Sequence, residues 1–544
     1  MKKIVASSLL LASLASVVWS DPPSATERPA DKAEAKPAPT KRKPHFTVSK
    51  ETTYVTKPLD ADGYIDYAAA LHERLHRGVT PDNNAVVLLW KAFGPHPERT
   101  KMPAEFFKWL EIDPPPERGD YFIDLGKYVK ERRKLDQLDW KDPIFQEQTD
   151  CSHRAWKAAR HPEIAAWLKA NEKPLALVIE ASNRSQYYSP LAPKRTEKGS
   201  SGLFGALLPG VQKCRELANA LTIRAMLHLG EGRIDDAWRD LLACHRLGRL
   251  VGRGPTLIEG LVGIAIDSIA SNAEVVFLAD ADLKTEQIRK CLNDLRKLPP
   301  MPSFADKIDV CERFMFLDVV MMVERNGLKT LEGLAGGTPN SSSFLDKITS
   351  FYLQTSIDWD PSMRTANRWY DRVAKALRVE DFAERRKQLD KIDKELKDLT
   401  KKTRESMPQP LQIIFGKDSS KIVSEWIGNV LVGLLMPAVL KVQQARDRCD
   451  QMQANLYLAF ALAAYRCDNG SYPKNLEALM PKYMDKIPND LFSGKPLVYK
   501  PDEKGYLLYS VGVNGSDDGG RDQWDTPPAD DLRVRMPPPK PSPK

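Results

Sequence analysis

The sequence has no Cys-x-x-Cys pair, no glycine-rich phosphate loop, no recognisable Ser/His/Asp nucleophile arrangement and no dense basic block interleaved with aromatics. The first absence removes zinc ribbons and thioredoxin-like redox chemistry, which need two thiolates held close together. The last sets nucleic acid aside as a partner. The 81 basic residues are matched by 73 acidic ones, leaving a formal charge of +8 that is too small and too dispersed to track phosphates. Seven cysteines stand singly, at Cys151, Cys214, Cys244, Cys291, Cys311, Cys449 and Cys467. An odd number leaves at least one thiol unpaired, and most lie in apolar helical patterns where a thiol packs as a small hydrophobe.

What is present begins with an export signal. Lys2 and Lys3 precede an apolar run from Ile4 to Val18, which closes on Val18-Trp19-Ser20. Residues 1–20 therefore read as a signal peptide, too short for a comfortable span and without a lipoprotein box. The expected destination is the periplasm or the extracellular space, with no transmembrane span after cleavage. Residues 21–50, rich in Pro, Ala, Lys and Glu, lack the apolar groups needed to offset ordering and read as a disordered tether. A helical domain over residues 51–425, a small α+β module over 426–535 and a Pro/Lys-rich tail over 536–544 complete the division.

The fold class expected is mainly α, an irregular multi-helix domain followed by that α+β module. Tyr64 to Glu98 and Gln146 to Ala170 read as short helices broken by prolines such as Pro114-Pro115-Pro116. Lys213 to Ala279 is the strongest helical block, with breaks at Gly230, Gly232, Gly254 and Pro255. Gly232, Ile234, Ala237, Leu241 and Cys244 are spaced like half of a tetratricopeptide hairpin, but no second copy follows at the repeat period. Thr256 to Ala279 is apolar nearly all round. Its Glu259, Asp267 and Glu274 are expensive in a bilayer, so a core helix is expected, with carboxylates paired to Arg246, Arg249 or Arg253. Ile308 to Arg325 carries Glu312 and Asp318 among large apolar residues, and Val379 to Arg404 is a charged helix with one apolar stripe.

In the C-terminal part, Gly433-Leu434-Leu435-Met436-Pro437 leads into a stripe of Val442, Ala445, Cys449, Met452, Leu456, Ala459 and Ala463. Asp468-Asn469-Gly470 ends the helix, and Tyr472-Pro473 begins an extended arm. Ile487-Pro488-Asn489-Asp490 follows. Leu497 to Lys500 and Tyr506 to Val511 then alternate as two strands about the turn Asp502 to Gly505. This order of motifs, over about a hundred residues, resembles the soluble part of type II secretion major pseudopilins. The remainder is similar to uncharacterised envelope proteins of planctomycete-type bacteria, which implies no activity.

The resemblance implies a helix on a short antiparallel sheet and a calcium site in the last loop, built from carbonyls and acidic side chains. The positions it points to are Val511, Asn514, Asp517, Asp518, Asp530 and Asp531, with Asp522 and Asp525 nearby. Asn514 falls where the family has an aspartate, which removes one charge. The pilin processing site is missing, so the module is expected to dock on the helical domain rather than polymerise. Protein partners in the cell envelope follow from that reading.

One further motif points elsewhere. His72-Glu73-Arg74-Leu75-His76 is an HExxH, which on a helix sets two imidazoles one turn apart to hold zinc, with Glu73 as the catalytic base and His96 or Glu98 as a third ligand. Arg74 and Arg77 oppose a cation there, and Gly78 ends the helix immediately. The expected function is thus a non-catalytic envelope protein, with a zinc-dependent hydrolase as the alternative.

Overall fold

A computed structural model describes residues 43–539 except 194, 197–198, 201, 204, 207, 328–356 and 407–418. The expected signal peptide, most of the expected tether and the last five residues lie outside the described residues.

The first helices are short, and four of the seven are capped by a side chain at their start. They are α1 (Tyr67–Leu75), α2 (Ala85–Phe93), α3 (Ala104–Trp109), α4 (Leu125–Arg133), α5 (Pro143–Ser152), α6 (Pro162–Ala170) and α7 (Glu172–Ser182). Asp66, Asn84, Asp124 and Asp142 accept from backbone amides in the first turns of α1, α2, α4 and α5. Proline opens α5 and α6, where its missing N–H costs nothing. A two-residue pairing of β1 (Arg195–Thr196) with β2 (Gly199–Ser200) follows.

The central block is α8 (Val211–Gly230), α9 (Ile234–Val251), α10 (Leu257–Asp280) and α11 (Thr285–Arg296). Thr256 and Glu259 close a reciprocal capping box at the start of α10. Helices α9 and α10 cross at backbone contact. A Cβ on Gly263 would lie 2.5 Å from the Gly248 carbonyl oxygen.

Next come α12 (Phe304–Lys307), a π-helical turn over Ile308–Glu312, α13 (Arg313–Asn326), α14 (Asp360–Leu377) and α15 (Phe382–Glu405). A single helix of 51 residues, α16 (Ser419–Asn469), continues through Pro437. A three-stranded antiparallel sheet of order β3-β4-β5 closes the chain, formed by β3 (Val498–Pro501), β4 (Tyr506–Ser510) and β5 (Leu532–Met536). Val498 pairs with Tyr509, and Ser510 with Leu532.

The expected division at residue 426 falls inside α16, and the cores do not divide there either. Val423, Leu431, Met436 and Cys449 pack with α1, α12, α13 and α14, whereas Leu458, Phe460 and Leu462 share a second core with α8–α11 and the sheet. The tether also ends sooner than composition indicated. His45 donates its N–H to Glu324 (3.2 Å), Thr47 N–H donates to Asp360 (2.7 Å), and Asn367 Nδ2 donates to the carbonyls of Glu51 and Thr52. Backbone donors meeting buried acceptors pin the strap however few apolar side chains it carries. At the other end Met536, assigned to the tail, is buried as the last residue of β5.

By length and composition α10 and α16 could each cross a membrane, but 61% of the apolar window of α10 is buried inside the protein. Two of its acids face basic side chains inside the protein. Asp267 meets Arg249 and lies 2.6 Å from His245 Nδ1, while Glu274 lies 3.1 Å from His245 Nε2. Arg246 and Arg253 turn instead to Asn183 and the Ser185 carbonyl. Glu312 and Asp318 do not meet as an acid pair. Glu312 accepts from Leu257 N–H at the start of α10, and Asp318 from Leu203 N–H. All seven thiols are free, and only that of Cys467 is exposed.

Candidate metal centre

The loop between β4 and β5 is built around carboxylates from its first residue. Asp490 accepts from Val511 N–H (2.8 Å) and from Ser510 Oγ (3.1 Å), fixing the end of β4. Gly512 follows at φ 68°, and a Cβ there would lie 2.1 Å from the Asp530 carbonyl oxygen. Only glycine permits this backbone and this approach. The outgoing arm of the loop is thereby held against the returning one, just ahead of β5.

At that contact Asp518, Asp530 and Asp531 each bring a carboxylate oxygen within 4.8 Å of the others. Asp531 is 1% exposed. One of its oxygens accepts from Asp518 N–H (3.2 Å) and Gly520 N–H (2.7 Å), while Oδ1 is buried without a donor. Burial, helped by the neighbouring Asp518 and Asp517 charges, holds the Asp531 carboxyl above its ordinary range. Asp530 repeats the arrangement: Oδ2 accepts from Asn514 N–H (3.0 Å), and Oδ1 is buried and unpartnered. Two buried carboxylate oxygens thus lack donors beside a third acid, an arrangement that would suit a hard cation.

The other acids expected in this set are occupied elsewhere. Asp517 accepts from Gly519 N–H and from the Tyr509 hydroxyl, both at 2.9 Å, which holds its carboxyl below the ordinary range. Asp522 and Asp525 clamp the Arg533 guanidinium. Asn514 reaches the cluster through its amide nitrogen, which donates to Asp518 Oδ2 at 3.0 Å, while its Oδ1 accepts from Ser516 N–H. Val511 N–H is held by Asp490, which fixes the backbone at the entrance of the loop. The carboxylates that converge are those of Asp518, Asp530 and Asp531, oxygen donors of the kind calcium or magnesium takes and zinc or copper does not favour.

Sequence reasoning missed the two guanidiniums on the rim. Arg521 reaches Asp518 at 3.4 Å, and Arg448 of α16 reaches Asp530 at 3.6 Å. No spacing rule joins Arg448 to an acid more than eighty residues later; only the sheet laid back on α16 does.

The HExxH motif is differently disposed. His72 and His76 share a face of α1, with ring centroids 5.1 Å apart. His72 Nδ1 is hydrogen-bonded to the Tyr188 hydroxyl at 2.6 Å, and its ring stacks on Trp109 at 4.6 Å. Burial, then His76, pushes the His72 imidazole below its ordinary value. His76 faces Glu111 at 3.7 Å. Glu73 turns to a separate open cavity of about 460 Å³ beside Lys57, Arg74 and Arg77. His96 pairs with Glu117, and Glu98 lies near Lys213 and Gly210, so neither completes a ligand set with the two imidazoles. Among the described residues, the three aspartates are the sole grouping of three or more potential metal ligands.

No family of known proteins, no curated protein and no solved structure matches this chain.

Proposed function

We propose that this chain is an exported, non-catalytic protein of the cell envelope whose C-terminal part is a pseudopilin-like docking or assembly module carrying a calcium-binding loop. The observation that carries the reading is the convergence of Asp518, Asp530 and Asp531 between β4 and β5, with a buried oxygen of Asp530 and of Asp531 left without a donor. Those side chains would hold calcium, and the ion would fasten the loop to the start of β5. Backbone carbonyls and water would complete the oxygen shell that calcium requires. The helix ending at Asn469, the Tyr472-Pro473 arm and the small antiparallel sheet support the pseudopilin-like reading.

The test is affinity capture from envelope extracts with the mature chain as bait, in calcium and in chelator. A reproducible envelope partner, recovered less when Asp531 is changed to Asn, supports the reading. Absence of any reproducible partner in both conditions counts against it. The hydrolase alternative is not carried forward, because Glu73 turns toward the arginine-lined cavity and neither His96 nor Glu98 joins the two imidazoles.

A further inference from the structure

Resting on the cation site just described, we propose that Arg448 is a built-in competitor of the ion: its guanidinium on α16 occupies one side of the Asp530 carboxylate and sets the calcium concentration at which the loop fills.

The two oxygens of Asp530 are differently engaged. Oδ2 accepts from Asn514 N–H at 3.0 Å and faces Arg448 Nη2 at 3.6 Å, while Oδ1 is buried with no donor. Asp531 supplies the independent sign that a ligand belongs there, being 1% exposed with its own Oδ1 unpartnered. A dication held by the cluster of Asp518, Asp530 and Asp531 would therefore share the Asp530 carboxylate with a guanidinium. Like charges on one carboxylate repel, and the low exposure of Asp530 weakens screening between them. Arg521 lies against Asp518, but its Nε and Nη1 donate to the Asp518 and Pro527 carbonyls, so it is part of the loop's own scaffold. For Arg448, Asp530 is the acid in reach among the described residues.

The location gives the competition a consequence. Residues flanking Arg448 tie α16 to other elements: Arg446 donates to the Pro302 carbonyl, Asp447 accepts from Arg385, and Cys449 donates to Asp267. Filling the site loosens the contact between the loop and α16 while the helix stays anchored on both sides. The cation state of the loop is thus read at the middle of the long helix.

The experiment is calorimetric titration of calcium into the mature chain and into Arg448→Gln, Arg448→Lys and Asp531→Asn. Removing one unit charge beside a divalent ion near a surface should tighten binding roughly tenfold in Arg448→Gln, and Arg448→Lys should stay near the parent. An equal affinity in Arg448→Gln and the parent, with binding abolished in Asp531→Asn, overturns the role of Arg448 and leaves the site intact. Binding that survives Asp531→Asn, or no binding in the parent and Arg448→Gln alike, overturns the site and this inference with it. Binding seen in Arg448→Gln alone is the strongest supporting result.

Discussion

The Tyr188 hydroxyl lies 2.6 Å from His72 Nδ1, and the other face of the same imidazole rests on Trp109. An HExxH helix has here been joined to an aromatic cluster. We predict that His72→Ala leaves metal content unchanged by elemental mass spectrometry and lowers stability to urea by about 1–3 kcal/mol, from an orphaned Tyr188 hydroxyl and a lost stack. Glu73→Gln, at an exposed position, should stay within about 0.5 kcal/mol of the parent. Stoichiometric zinc that disappears in His72→Ala would reverse this conclusion.

Gly263→Ala should be among the most disruptive single-methyl additions in the chain. The new Cβ would sit 2.5 Å from the Gly248 carbonyl oxygen and 2.7 Å from Gly252 Cα, and both are backbone atoms with no rotamer to change. We expect a loss of about 2–3 kcal/mol in urea unfolding, the upper part of the overpacking range. Gly232→Ala, where the added atom meets nothing within 4 Å, should cost only the strain of its positive φ.

Stability should fall as pH rises from 6.5 to 9. Burial alone would lower the His245 imidazole, but Glu274 and Asp267 outweigh it and push its pKa up to about 9. The folded state thus holds a proton that the unfolded chain releases near 6.5, so the contribution is complete below 6.5 and lost as pH passes about 9. The slope, up to about 1.4 kcal/mol per pH unit, should be reduced in His245→Gln, with Glu312, raised to about 7, still acting at the lower end of the window. Equal pH slopes for the parent and the variant would exclude His245 as the cause. Buried thiols and phenols, whose ordinary values are 9.0 and 10.0, act above this window.

Calcium should raise the thermal midpoint of the parent chain, by about 2.7 kcal/mol of stabilisation at a hundredfold excess over Kd. Asp531→Asn and Asp518→Asn should abolish the shift. Asp517→Asn should keep it, because that carboxylate is engaged by Tyr509 and Gly519. Identical midpoints with calcium and with chelator would remove the ion from the picture.

How far these features could be read beforehand depended on whether their cause was local. The start of α10 at Thr256, the end of α16 at Asn469 and the hairpin about Asp502 to Gly505 are short-range, and local sequence signals placed them within a few residues. Strand β5 was not anticipated, although Val534 and Met536 alternate with outward Arg533 and Arg535, because the preceding acidic loop masks so short a pattern. In the site, the family resemblance pointed to the loop, but could not say that Asp522 and Asp525 serve Arg533 while Asp518, Asp530 and Asp531 converge. The pairing of Asp267 and Glu274 with His245 was likewise hidden, since their helices carry several basic candidates and the crossing at Gly248 and Gly263 selects among them.

The N-terminal strap has a consequence for the order in which the protein is completed. His45, Thr47, Glu51 and Thr52 are held by Glu324, Asp360 and Asn367, partners 279 to 316 positions later. A chain emerging amino-terminus first, at roughly 5–20 residues per second, cannot close that seam for many seconds. Its earliest segments must wait for α13 and α14, and the core beneath them then waits for α16. Such a chain passes most of its synthesis with its first seam open, a condition compatible with threading through a narrow channel before the fold is sealed.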